Sequence, residues 1–232
     1  MKKAYFNWST GKDSTLALYT ILQENDYLVG ALVTTVNQKF RRVSMHSVQE
    51  ILLEQQAESI GLPLIKIYFP EDVSMELYGN IMKKSIQRLI NDGFKFSIFG
   101  DIFLEDLKKY RERKLAEINL KGVFPLWKRD SKGLIQQFIS LGFKAITVSV
   151  NAKLLDESFV GREINEAFLN DLPSTIDMCG ENGEFHTFVY DGPIFSKPIQ
   201  FKIGEKVLKT YKSENTDTWD NSFWYCDLIP IE

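Results

Sequence analysis

The chain offers little metal or disulfide chemistry. Its only cysteines, Cys179 and Cys226, stand 47 positions apart. Neither has the close cysteine or histidine spacing of a zinc site, and one pair makes no disulfide framework. Two buried thiols in a reducing compartment are therefore expected. Long apolar runs are missing too: no window approaches the roughly 18 apolar residues that a membrane helix needs. Met1-Lys2-Lys3-Ala4-Tyr5 carries charge, but no apolar segment of a signal peptide goes with it. This predicts a cytoplasmic protein with no membrane partner. Basic runs stop at pairs such as Arg41-Arg42 and Lys108-Lys109, and the net charge is −3. A nucleic-acid surface needs clustered cations, so nucleic acid is not the expected main partner. Internal repeats and low-complexity segments are also absent.

What remains is an ordinary globular composition, 44% hydrophobic and 25% charged over 232 residues. That length holds one large domain, or one domain with a smaller appendage. The densest chemical signal is Ser9-Thr10-Gly11-Lys12-Asp13-Ser14, directly after the apolar run Ala4-Tyr5-Phe6-Asn7-Trp8. A strand running into this turn and then into a helix over 12–24 is a place to hold polyphosphate. The unpaired amides of the first helical turn and the helix dipole favour an anion there. Gly11 allows close backbone approach, Lys12 adds a point charge, and Ser9 and Ser14 offer hydroxyls. A Walker A loop needs a glycine five positions before its Gly-Lys pair, and Phe6 stands there instead. The loop resembles the pyrophosphate loop of the ATP pyrophosphatases, Ser-Gly-Gly-Lys-Asp-Ser in its common form, with Thr10 in place of a glycine. Those enzymes split ATP into AMP and pyrophosphate. A capped helix start with an incidental glycine is the plainer reading of the same residues.

Strand-like runs at 4–8, 28–35, 64–69, 96–99 and 145–150 alternate with helical patterns at 12–24, 48–60, 74–92, 104–119 and 131–141. Ser47 and Glu50 form a capping-box pattern before the second helix, whose stripe is Val48, Ile51, Leu52 and Gln55; Gly61-Leu62-Pro63 ends it. The strands are short and apolar throughout, as in sheets covered on both faces. The expected fold is α/β, a doubly wound, five-stranded parallel sheet over residues 1–150 with a smaller α+β region over 151–232. Ligands of such sheets sit at the carboxyl ends of the strands. That rim would carry the 9–14 loop, Thr34, His46 and Gly100-Asp101. Arg111 falls on the apolar stripe Leu104, Leu107, Leu115 and Ile118; it is expected to snorkel or to meet a carboxylate or phosphate. The apolar run 223–231 can pair within the chain or across a homodimer.

A second cluster, Gly180-Glu181-Asn182-Gly183-Glu184-Phe185-His186-Thr187, packs two carboxylates, an amide, an imidazole and a hydroxyl between glycines. His186 beside carboxylates suits a general base, and the carboxylates suit an amine, ammonium or Mg²⁺. The composition also suits a solvated turn leading into a strand.

Taken in order, the 9–14 loop, Gly100-Asp101-Ile102, Pro125-Leu126-Trp127, Gly142-Phe143, Phe159-Val160-Gly161-Arg162, the 180–187 cluster and Tyr190-Asp191-Gly192-Pro193 resemble the diphthine–ammonia ligase family. The resemblance runs from Lys3 to about Phe195, and Glu184-Phe185-His186-Thr187 looks like its short prokaryotic branch. It implies the adenine nucleotide α-hydrolase (HUP) fold and ATP-dependent amidation: a carboxylate is adenylated, ammonia displaces AMP, and an amide results. The implied acceptor is diphthine, a modified histidine of elongation factor 2, in an archaeal or eukaryotic source, and another carboxylate otherwise. Carried over by position, Ser9, Thr10, Gly11, Lys12, Asp13, Ser14, Thr34 and Gly100 would hold ATP. Asp101 would bind Mg²⁺ or the attacking ammonia. His46, Glu181, Asn182 and Thr187 would line the acceptor side, with Lys12, Asp101, Glu184 and His186 catalytic. Two other readings use the same loop: a nucleotide-binding sensor without catalysis, and a tRNA-modifying enzyme. The net charge and the lack of a close cysteine pair count against the latter.

Overall fold

The computed structural model describes residues 1–44, 47–211 and 221–231. The first half runs β1 (Lys2–Asn7), α1 (Lys12–Glu24), β2 (Tyr27–Asn37), β3 (Arg42–Val43), α2 (Glu50–Ile60), β4 (Leu64–Phe69), α3 (Met75–Asn91), β5 (Phe96–Ile98), α4 (Glu105–Ala116) and β6 (Lys121–Val123). The second half runs α5 (Ser131–Ser140), β7 (Lys144–Asn151), α6 (Glu166–Asp171), β8 (Phe185–Asp191), β9 (Phe201–Tyr211) and β10 (Asn221–Pro230). Among the described residues no helix is long and apolar enough to cross a membrane.

Five parallel strands form the first sheet in the order β4-β2-β1-β5-β6. The order reverses at β1, so the switch point lies between β1 and β5, where the crevice of a doubly wound sheet opens. Alternate residues of β1 and β2 feed two different cores. Ala4, Phe6 and Leu32 join Leu16, Leu18 and Leu52 of α1 and α2. Tyr5, Ala31 and Val33 join Ile86, Leu89 and Leu115 of α3 and α4. Burial on both faces is why these strands read as unbroken apolar runs. The short β3 runs antiparallel to β2, at Val36↔Val43 and Asn37↔Arg42, beyond the point where β1 ends.

Three expectations need correction. The fifth parallel strand is β6, not the run 145–150. That run lies in β7, part of a separate antiparallel sheet ordered β8-β7-β10-β9. Lys121-Gly122-Val123 is too short and too polar to announce a strand, and it exists because β5 offers it an open edge. The capping box does not form either. Ser47 has φ 56 and lies ahead of the actual N-cap, Gln49. The Glu50 carboxylate is instead taken by Lys66 Nζ at 2.6 Å, Tyr68 OH at 2.6 Å and Arg41 Nε at 2.8 Å. Hydrogen bonds to the ionised form hold Glu50 below its usual range despite burial. The buried face of α2 is accordingly Leu52, Leu53, Gln56 and Ala57, while Ile51 is exposed.

Other elements stand where expected. Gly61, at φ 78, closes α2 with its amide on Ala57 and Glu58 carbonyls. β10 pairs within the chain, with β7 and β9, and both thiols are free and buried. Gly100 follows β5 and lets the rim approach α1 closely: a Cβ there would stand 2.9 Å from Asp13 C and from Ser14 N. Because the clashing atoms are backbone, Gly100→Ala should lower unfolding free energy by about 2 kcal/mol in a urea titration. An unchanged midpoint would mean that the helix start can yield.

Candidate active site

The rim at the switch point is built from the phosphate loop upward. Thr10 adopts φ 74, a left-handed conformation rare for a β-branched residue. Gly11 is the extended N-cap of α1 and has no side chain of its own to cap the helix. The Ser14 and Thr15 hydroxyls both donate to the Gly11 carbonyl at 2.9 Å, and Ser9 Oγ donates to Ser14 Oγ at 3.0 Å. This arrangement fixes the loop from the carbonyl side and leaves the Asp13 and Ser14 amides for a further partner. A helix start with positive partial charge is an anion cradle. The Thr10 hydroxyl is buried with no hydrogen-bond partner among the described residues.

Lys12 is 3% exposed. Its ammonium bonds the Asp13 carboxylate at 2.8 and 2.9 Å and the Cys179 carbonyl, and it lies 5.3 Å from the centre of the Phe185 ring. Burial alone would lower its pKa; Asp13 and the more distant Glu181 outweigh that and raise it. The lysine stays charged. Its backbone amide donates to Thr187 Oγ1 at 3.0 Å, and the Val189 amide donates to the Thr10 carbonyl at 3.0 Å. The free edge of β8 is thereby docked on the loop, and the two clusters found in the sequence meet at one rim.

Asp101 lies beside Gly100 and faces Arg111 of α4. Arg111 Nε stands 2.8 Å from Oδ2 as an ion-pair contact off the hydrogen-bond line, and an Nη donates to Oδ1 at 3.2 Å. The guanidinium also covers the Phe99 ring at 4.4 Å. Arg111 is thus the carboxylate partner, not a snorkelling side chain. Burial still raises the Asp101 pKa, because the arginine only partly offsets desolvation. Glu181 crosses from the second cluster and accepts the Ile102 amide at 2.8 Å. Burial, with Asp13 adding like charge, pushes its carboxyl up to about 7.

Glu184 is 3% exposed and is absorbed by its own turn. It accepts from the Asn182 amide at 2.8 Å, Asn182 Nδ2 at 3.1 Å and the Asp177 amide at 3.2 Å. His186 pairs across the ladder with Ser149. Burial and the nearby Lys12 charge push its imidazole down to about 4, so it is neutral at neutral pH. Thr34 is buried and donates to the Trp8 carbonyl at 2.8 Å, which places it behind the loop as a support. His46 lies outside the described residues. The sequence reading missed Gln56 and Asp177. Gln56 was legible as the one amide on the apolar face Leu52, Leu53, Ala57. Asp177 accepts the amides of Cys179 and Glu181 at 3.0 and 3.2 Å and shapes the turn, but it carried no distinguishing pattern.

A doubly wound parallel sheet with a helix start, a buried lysine and carboxylates gathered at its switch point places the protein in the α/β class. The particular family follows from comparison. The family model described as Diphthamide synthase N-terminal domain matches residues 1–122, and that described as Diphthamide synthase C-terminal domain matches residues 130–228. The chain belongs to the diphthamide synthase family. A diphthine–ammonia ligase of Danio rerio is 30% identical over 172 residues, 66% of either chain. One of Bos taurus is 34% identical over 110 residues, 45% of this chain and 41% of its own. The chain therefore spans just under two thirds of the zebrafish relative and less than half of the bovine one. A U34-tRNA thiolase structure from Methanococcus maripaludis overlaps with TM-score 0.37 at 19% identity, covering 60% of this chain and 56% of that one, too slight a likeness to bear on this chain.

The raised Glu181 pKa has a stability consequence of definite sign. A carboxyl whose folded pKa lies above its unfolded value favours folding below about pH 4.5, and the advantage is lost as pH rises through about 7. Glu181→Gln stays neutral throughout. Its melting temperature relative to wild type should climb by several degrees between pH 4.5 and 7.5, as read by scanning calorimetry. A constant difference across that range would place the Glu181 titration elsewhere.

Proposed function

We propose that the chain is an ATP-dependent ligase that adenylates a carboxylate and forms an amide with ammonia, releasing AMP and pyrophosphate. Diphthine on elongation factor 2 is the proposed acceptor, consistent with the names of its relatives. One observation carries the reading most: the phosphate loop and the 180–187 cluster are hydrogen-bonded together around Lys12. A phosphate-holding lysine at the seam of two clusters would bring leaving group and acceptor to one rim, which supports the reading.

In this reading the Asp13 and Ser14 amides at the start of α1, with the hydroxyls of Ser9, Thr10 and Ser14, hold the polyphosphate. Lys12 would release Asp13 and stabilise charge that builds on pyrophosphate as the α-phosphorus is attacked. Gly100 keeps the opposite wall close, and Thr34 holds it from behind. Asp101 and Glu181 face the rim and are suited to orient ammonia. Glu181, poised near neutrality, is the better proton acceptor of the two. His186, neutral and weakly basic, can position an acceptor by hydrogen bonding, while Asn182, Glu184 and Thr187 keep the turn in shape. Among the described residues no cluster of three or more ligands could hold a metal ion by itself. Mg²⁺ would come with the phosphates and supply charge neutralisation there.

The test is product analysis with Mg-ATP, ammonium and diphthine-bearing elongation factor 2. AMP and pyrophosphate should accumulate only when the acceptor is present, and Lys12→Ala should slow their formation by about 10²- to 10³-fold. Accumulation of ADP would overturn the assignment, and AMP formation with a metabolite extract alone would redirect it to a small carboxylate.

A further inference from the structure

We infer that Gln56 is the positioning residue of the phosphate loop: its buried amide clamps the left-handed Thr10 peptide and ties it to β8. The inference rests on the proposed nucleotide role of the loop. Gln56 is fully buried on α2. Its Oε1 accepts from Trp8 Nε1 at 2.9 Å, and its Nε2 donates to the Thr10 carbonyl at 3.1 Å and the Val189 carbonyl at 2.5 Å. An indole can only donate and a carbonyl can only accept, so these partners fix which way the amide points. Both N–H groups are used. One side chain therefore joins the end of β1, the loop, α2 and the edge strand of the second sheet.

Thr10 is the reason such a clamp is needed. It stands where the common pyrophosphate loop has a glycine, at φ 74. A β-branched side chain resists that conformation, and the Thr10 hydroxyl finds no partner among the described residues to compensate. Such a peptide persists only where its surroundings over-determine it. Here they do: its carbonyl takes Gln56 and the Val189 amide together. Without the clamp the peptide would relax toward negative φ and shift the start of α1, with its Asp13 and Ser14 amides, away from the anion.

Four proteins test this: wild type, Gln56→Met, Thr10→Gly and the double variant, each assayed by calorimetry for Mg-ATP affinity and by urea titration. Gln56→Met should weaken ATP binding by about tenfold or more when Thr10 is present. The same change should cost less than about threefold in the Thr10→Gly background, because glycine takes the left-handed turn without strain. Equal losses in both backgrounds would overturn the clamp and leave Gln56 as ordinary packing. Should Gln56→Met not fold, Trp8→Phe, which removes the donor that orients the amide together with part of the buried ring, allows the same comparison, since the lost packing is common to both backgrounds. If the wild type binds no ATP, the nucleotide reading fails. The urea midpoints still decide the clamp, which requires Gln56→Met to be less destabilising beside Thr10→Gly.

Discussion

The docking of the β8 edge on the phosphate loop is the contact on which the rest of the rim depends. Two hydrogen bonds make it, Val189 amide to Thr10 carbonyl and Lys12 amide to Thr187 hydroxyl, each 3.0 Å long. The second of them supplies, from β8, the cap that Gly11 cannot give α1. They also bring Cys179, Gly180 and Glu181 over the loop, so that Lys12 is desolvated and its charge acts in a poorly screening environment. A charge in that setting does more to an incoming phosphate than one in water. The burial of Lys12 and the seating of the left-handed Thr10 peptide both follow from one sheet edge being docked on the loop.

Charge around Lys12 is balanced in an unusual way. Asp13, Asp101 and Glu181 lie close enough to influence one another, yet Arg111 answers Asp101 and burial keeps Glu181 near half-protonation at neutral pH. His186 is pushed in the opposite direction and adds no positive charge. The rim thus stays close to neutral, with the buried Lys12 ammonium at its centre and Arg111 beside Asp101. A fully ionised carboxylate trio would repel phosphates; a cationic histidine would compete with Lys12 for them.

Most of the fold was legible because both-face burial leaves a plain mark. Unbroken apolar strands alternating with amphipathic helices define a doubly wound sheet, and α1, α2, α3 and α5 fall within a residue or two of their expected limits. Tertiary context overrode local pattern elsewhere. Glu50 looked like a capping residue but is claimed by Lys66 and Tyr68 from a neighbouring strand. Lys121-Gly122-Val123 has no strand character of its own. At the site, the loop and the 180–187 cluster were visible by composition, and their meeting was implied only by family resemblance. Glu184 shows the limit of composition as a guide: a carboxylate in a polar, glycine-rich turn looks available for chemistry, and three hydrogen bonds from its own turn occupy it.

The bond between Lys12 and Thr187 spans 175 positions. During synthesis at about 5–20 residues per second, roughly ten to thirty seconds separate the appearance of the loop from that of the strand that seats it. Throughout that interval β1, α1 and β2 can pair and bury their apolar faces, but Thr10 has no Val189 to hold it. The parallel sheet can be native in outline while the loop is still unset. Setting of the Thr10 peptide therefore waits for β8, long after the strand and helix on either side of it have been made.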